Sequence, residues 1–166
     1  MRRIFQFLKS LGERGNIMDK ELEFSDAQAI TANATTADST NVVDLGALTD
    51  FKGTALNAFG QAMGAINLIV EIETAPTAGT GIQVELHDCA TEGGTYKATG
   101  IGLNDAVPIA TLTAGYRMLN VALPASIRRY LKLVYTTTGD HSASAGTVNA
   151  YITTKPTSVN VAPYRA

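Results

Sequence analysis

His87-Asp88-Cys89 is the only cluster of chemically reactive side-chain types in this sequence. On a β-strand, successive side chains point to opposite faces, so His87 and Cys89 would share one face and Asp88 would take the other. A histidine beside a cysteine can activate the thiol as a nucleophile. We favour the simpler interpretation, in which Cys89 is a small buried side chain and His87 lies on the polar side of its strand. The sequence therefore predicts no catalytic residues and no enzyme.

The chain also lacks the motifs that hold a phosphate, a nucleophilic serine or a zinc ion. It contains neither Gly-x-x-x-x-Gly-Lys-Ser/Thr nor Gly-x-Ser-x-Gly, and Gly100-Ile-Gly102 lacks the third glycine of a dinucleotide-binding loop. One cysteine and two histidines are too few for a closed zinc site built from those ligands. We therefore predict no cofactor and no metal ion. The second histidine, His141, is predicted to be a solvent-exposed loop residue.

Three glutamates give a weaker signal. Glu71, Glu73 and Glu85 would gather on one sheet face if their strands were paired. Such a patch could bind calcium, which takes about six to eight oxygen ligands. The favoured interpretation is an acidic face that meets solvent or a basic partner.

Arg128-Arg129-Tyr130 is the densest basic spot outside the N-terminal segment. Two interpretations stay open. The residues could form the solvated start of a strand, or they could make ion pairs between subunits. We carry Arg128, Arg129 and Tyr130 forward as candidate inter-subunit residues.

The charge of the chain is unevenly distributed. Residues 1–17 carry four basic side chains and one acidic side chain, whereas the remaining residues carry nine basic and fourteen acidic ones. An acidic body argues against direct nucleic-acid binding, which requires a clustered basic surface. A short basic arm at residues 1–17 is instead suited to docking on an acidic partner.

The apolar residues of this arm predict a short amphipathic helix over residues 2–11. A helix of about ten residues is unstable alone in water, so it must pack against something. It could pack on this protein's own body, dock on a neighbouring subunit or partner, or lie on a membrane surface, and Met18 could be the true start of the chain. The candidate docking residues are Arg2, Arg3, Ile4, Phe5, Phe7, Leu8 and Leu11.

The stepwise alternation of apolar and polar residues predicts the elements that position all these groups. Period-two patterns typical of half-buried antiparallel strands occupy residues 66–73, 82–87, 130–135 and 147–153, and Ile69 is the one apolar residue on a polar side. Weaker strand candidates are residues 22–31, 41–45, 96–103, 107–112 and 116–123.

A chain of 166 residues has the length of one domain. Its strands, separated by Gly/Pro-rich turns, predict an all-β fold: a jelly-roll-like antiparallel β-sandwich of about eight strands. The sandwich is expected over residues 18–155, with a loop at residues 50–65 and an extended tail at residues 156–166. No apolar run is long enough for a membrane helix, so we predict no membrane partner.

Several short segments, in order, resemble a family of tailed-phage capsid cement (decoration) proteins known from a Bordetella phage. The resemblance covers residues 20–154 and departs from the family pattern at the first 17 residues, at residues 50–65 and after Thr154. The matching segments are residues 24–31, 39–46, 68–74, 80–86, Ala114-Gly-Tyr-Arg117, Arg129-Tyr-Leu-Lys-Leu-Val-Tyr135 and Ala145-Gly-Thr-Val148.

The resemblance implies a virion structural protein on the outer surface of a phage capsid. Its partner would be the major capsid protein, and it would clamp neighbouring shell subunits against the pressure of packaged DNA. It would form a homo-oligomer, with a dimer favoured over a trimer. The alternative function is a carbohydrate- or receptor-binding jelly roll on a tail or fibre. That alternative is disfavoured because tryptophan is absent and aromatic residues make up only 7% of the chain.

Overall fold

A computed structural model describes residues 20–46, 67–124 and 126–153. These residues form an all-β protein with two short 3-10 helices, Lys20–Leu22 and Ile109–Thr111. The predicted arm (residues 1–17), loop (residues 50–65) and tail (residues 156–166) lie outside the described residues. The strands are β1 (Glu23–Ala29), β2 (Thr36–Asp38), β3 (Val43–Asp44), β4 (Asn67–Thr74), β5 (Gly81–Cys89), β6 (Lys97–Gly102), β7 (Val107–Pro108), β8 (Arg117–Ala122), β9 (Tyr130–Thr138) and β10 (Thr147–Thr153).

The strands form two antiparallel sheets. The four-stranded sheet has the order β1-β10-β4-β8, and the six-stranded sheet has the order β2-β9-β5-β6, with β3 also pairing with β9 and β7 with β5. Since β2 and β3 share one position, and β6 and β7 share another, the sandwich has eight strand positions. Their alternation between the two sheets is that of a jelly roll, so the predicted fold is confirmed.

The strand periodicity builds the core between the sheets. The inward residues of β4, β5, β9 and β10 are apolar at every second position, and together they form the centre of one hydrophobic cluster. One buried hydrogen bond links the sheets, because Ser25 Oγ on β1 lies 2.9 Å from the Tyr135 hydroxyl on β9. Burial raises the pKa of Tyr135 well above its usual value, so this hydroxyl stays protonated. The inward residues of those four strands are Leu68, Val70, Ile72, Ile82, Val84, Leu86, Leu131, Leu133, Tyr135, Val148, Ala150 and Ile152.

Two local predictions differ from the structure. The strand predicted over residues 107–112 ends at Pro108 and continues as a 3-10 helix. A proline has no backbone N–H to donate to a strand ladder, which is consistent with a strand end at this position. The strand Thr36–Asp38 was not predicted, because three residues with one alanine show no apolar alternation.

The prediction of a solvent-exposed His141 is wrong, since this side chain is 0% exposed. Its Nε2 lies 3.1 Å from the carbonyl oxygen of Thr138. The imidazole packs directly over Gly79, where an added Cβ would come within 2.0 Å of Nε2. The loop containing His141 can therefore fold inward only because residue 79 has no side chain and adopts a φ of +98°.

Candidate functional site

The structure separates the members of the reactive cluster as their strand positions predict. On β5, His87 pairs across the sheet with Lys132 and Cys89 with Tyr130, while Asp88 pairs with the core residue Leu131. Side chains two residues apart on a strand are about 7 Å apart. The His87 imidazole lies 3.6 Å from Glu85 Oε2. Cys89 is buried, with its Sγ beside the backbone of Gly94. This arrangement does not bring the thiol and the imidazole together as a nucleophile and its base.

The glutamates do not form the acidic patch that would have required paired strands. Glu71 and Glu73 lie on β4 in the four-stranded sheet, whereas Glu85 lies on β5 in the other sheet. Among the described residues, no group of three or more His, Cys, Asp or Glu side chains is placed to hold a metal ion. In the same residues, no helix is long and apolar enough to cross a bilayer.

Arg128 and Asp88 form an ion pair where β5 ends and β9 begins. Arg128 Nε donates to Asp88 Oδ1 at 2.8 Å, and the Arg128 backbone N–H donates to Oδ2 at 2.9 Å. Arg128 Nη2 also donates to the Asp88 carbonyl oxygen at 3.0 Å. Burial on its own would raise the pKa of Asp88, but the hydrogen bonds from Arg128 outweigh it and hold that pKa below 3.8. The buried carboxylate is thus fully compensated within one chain.

Arg129 makes a second pair, with Asp44 on β3. Arg129 Nε and Nη2 donate to the two carboxylate oxygens of Asp44 at 2.6 Å and 2.7 Å, which is a bidentate arrangement. The hydrogen bond from Arg129 is the main reason why the pKa of Asp44 lies below its usual value. The guanidinium also lies over the Tyr130 ring, 4.8 Å from its centroid.

Lys132 completes this group of cations. Its Nζ lies 2.7 Å from Asp38 Oδ2 on β2 and 4.9 Å from the centroid of the Tyr96 ring. The six residues Asp38, Asp44, Asp88, Arg128, Arg129 and Lys132 are called the ion-pair cluster below. It ties the start of β9 to β2, β3 and β5. An inter-subunit role for Arg128, Arg129 and Tyr130 stays a prediction, although both arginines already have partners in their own chain.

Sequence analysis singled out the arginines but missed their aspartates. Asp38, Asp44 and Asp88 lie 94, 85 and 40 positions before their partners, so no local spacing connects them. The one signal available was Asp88 itself, a charged residue in the apolar phase of a predicted strand. A carboxylate in that phase needs a cationic partner, because burying an uncompensated charge is costly.

The outer face of the four-stranded sheet has a different character. The strand registers place Glu23, Tyr151, Ile69 and Asn120 in one row across β1, β10, β4 and β8. The core cluster includes Leu68 and Val70 but not Ile69, so Ile69 points away from the core. Even so, Ile69 is 0% exposed. Other outward residues of this sheet are Asn67, Glu71, Glu73, Arg117 and Asn149.

The candidate arm residues, Arg2 to Leu11, lie outside the described residues, so their predicted docking role stays a prediction. The candidate functional surfaces of the described chain are therefore the two outer faces of the sandwich and its connecting loops.

Comparison with known proteins gives one result. No curated protein matches the chain. The family model Bbp16 matches residues 24–152, which span β1 to β10 almost completely. The name of that family derives from a Bordetella phage, which makes this a phage protein. Because the match covers most of the 166 residues, the chain belongs to the Bbp16 family.

Proposed function

We propose that this chain is a structural protein of the virion, which binds the outside of a phage head and clamps neighbouring major capsid subunits. The observation that carries the proposal is the jelly-roll scaffold of a phage-family protein whose reactive side chains serve its own fold. Asp88 and Arg128 neutralise each other, Cys89 is buried, and His87 faces Glu85. A scaffold of this kind resists mechanical load without chemistry, and we propose that it has no enzymatic activity.

The edges of the four-stranded sheet favour association of two copies. The edge strand β1 is irregular, with register shifts against β10 and a positive φ of 48° at Ala27. Such irregularities discourage pairing with another strand. The opposite edge, β8, pairs continuously with β4 from Leu119 to Ala122. We propose that β8 is the edge available for antiparallel pairing in a symmetric dimer, which could grip both sides of a capsomer boundary bivalently.

The partner surface of the shell would be met by the exposed loops and by the arm at residues 1–17. This assignment of Arg2, Arg3, Ile4, Phe5, Phe7, Leu8 and Leu11 rests on the amphipathic pattern alone. Nucleic acid and membrane are not proposed as partners.

The copy number in purified virions tests the function. We expect mass spectrometry to find this chain in numbers of the same order as the major shell protein, and heads that lack it should release DNA at lower temperature. A handful of copies per virion would instead favour the alternative, a carbohydrate- or receptor-binding module on a tail or fibre. Complete absence from virions would refute both.

The structure offers little for that alternative. The described aromatic residues are all buried or half-buried, whereas glycan sites commonly stack sugars on exposed rings. These residues are Phe24, Tyr96, Tyr116, Tyr130, Tyr135 and Tyr151.

Arm variants test the proposed shell contact. Ile4→Asp combined with Phe7→Asp should lower the occupancy of heads by added protein, because charges on the apolar side prevent docking. The matched control, Gln6→Asp with Ser10→Asp, adds the same charge on the polar side and should bind normally. Unchanged occupancy of the first variant would remove the arm from the mechanism.

A further inference from the structure

The outward side chain of Ile69 is buried although the described chain places no layer over it. Ile69 is on a central strand, between Tyr151 on β10 and Asn120 on β8. Asn120 is exposed and Tyr151 is only half-buried, so these two neighbours remain in contact with water. A side chain at 0% exposure between them requires an apolar cover above the sheet.

The described elements do not supply this cover. The 3-10 helix Lys20–Leu22 approaches both β10 and β3, which lie in different sheets, so it closes an end of the sandwich. The second 3-10 helix, Ile109–Thr111, contributes Ile109 to the periphery of the core between the sheets. The cover must therefore come from the rest of this chain or from another molecule.

We infer that the basic arm, residues 1–17, docks with its apolar side on the outer face of its own four-stranded sheet, over Ile69. The inference concerns the free protein, and it stands or falls independently of the proposed binding to a phage head.

The position of the arm along the chain supports this occupant. Glu23 begins β1 in the same row as Ile69, two strands away, which is about 10 Å. The chain between Leu11 and Glu23 can span more than about 30 Å, so the arm reaches this face without strain. The predicted helix over residues 2–11 would be about 15 Å long, which matches the width of about 14 Å across four strands.

The charges are complementary as well. The outer face carries Glu23, Glu71 and Glu73, and of these Glu71 pairs with Arg117 at 3.3 Å. The arm carries four basic side chains and one acidic side chain. Its apolar residues would cover Ile69, while its basic residues would lie near the glutamates at the margins.

The C-terminal segment after Thr153 is the competing occupant from the same chain, because β10 ends in the adjacent row. It contains two prolines, two basic side chains and no helical apolar pattern, so it offers neither a compact apolar side nor an equal charge. A second copy of the protein is the other competitor.

Thiol accessibility tests the cover in solution. In a Cys89→Ala background, the thiol introduced by Ile69→Cys should react with a maleimide at least about tenfold more slowly in the full chain than in a chain beginning at Met18. Removing residues 156–166 should leave the rate unchanged. Equal rates with and without the arm, or a rate raised only by removing the tail, would overturn the inference.

A second measurement needs no substitution at Ile69. Oxidative labelling of Tyr151, in the same row, should rise when residues 1–17 are removed, while labelling of Tyr96 on the six-stranded side should not change. An unchanged Tyr151 signal would contradict the proposed contact.

Disulfide trapping decides between the same chain and a neighbour. With Cys89→Ala, the pair Leu8→Cys and Ile69→Cys should form a bond within one chain, whereas Val159→Cys with Ile69→Cys should not. A bond between two chains would show that a second copy supplies the cover, and trapping only from position 159 would assign it to the tail. Either result would overturn the inference as stated.

Discussion

The two outer faces of this sandwich have the same alternating pattern but different solutions to it. On the six-stranded sheet, the outward residues Glu85, His87, Lys132 and Val134 are all half-buried, and the cations are held by aspartates of the same chain. On the four-stranded sheet, the outward Ile69 is completely buried in a row that is otherwise polar. The first face is finished by its own side chains, whereas the second needs another layer.

This difference explains the exception in the sequence pattern. An apolar residue in the polar phase of one strand is ordinarily of little importance, because many surface residues are apolar. Here its complete burial turns the exception into a contact site. The comparison between the faces can be broken by substitutions matched across them.

The largest difference is expected between Ile69→Ala and Val134→Ala, two outward apolar residues on central strands of opposite sheets. Ile69→Ala should lower the free energy of unfolding by about 2–5 kcal/mol, because it leaves a cavity under a cover. Val134→Ala, at a half-buried site, should cost less than about 1 kcal/mol. Urea denaturation of both variants measures the difference.

The same pair in a chain beginning at Met18 provides the control. If the arm covers Ile69, the cost of Ile69→Ala should fall toward that of Val134→Ala. Equal costs for the two variants in the full chain would mean that the two faces do not differ energetically.

An intermediate effect is expected for Asp88→Asn in the ion-pair cluster. The folded pKa of Asp88 is depressed, so its stabilising contribution is present above the unfolded pKa of about 3.9 and is lost as pH falls through the folded value. At pH 7 the variant should be less stable by about 1–2 kcal/mol, and the gap should close in strong acid.

Unfolding by urea between neutral pH and pH 2 measures this gap, with the exposed-loop variant Asp105→Asn as control. A gap for Asp88→Asn that stays constant across the whole pH range would contradict the assigned role of the charge.

The smallest effect is expected for the ion pair on the exposed side. Lys132→Gln should cost about 0.5 kcal/mol, since Asp38 is largely exposed, and the cost should vanish in 1 M salt, where the Debye length is about 3 Å. Arg117→Gln, opposite Glu71 on the covered face, should cost more and should respond less to salt. Thermal unfolding at low and high salt compares the two, and equal salt sensitivity would argue that both faces are equally open to water.

The sequence by itself determined most strand positions and the face on which each side chain lies. This was possible because the period of two is local: β4, β5, β9 and β10 each carry their own pattern, and the pattern assigns His87 and Asp88 to opposite faces without knowledge of the partner strands. The jelly-roll fold and the resemblance to a phage family followed from the same residues.

Only the tertiary structure decided which residues meet. The aspartates that hold Arg128, Arg129 and Lys132 are 40 to 94 positions away, and strand pairing across the whole sheet brings them together. His141 is buried because Gly79, from another loop, leaves room for its ring. Ile69 was visible in the sequence as an exception, but its burial depends on what lies above the sheet. Local periodicity assigns a side chain to a face, and only long-range packing determines whether that face meets water.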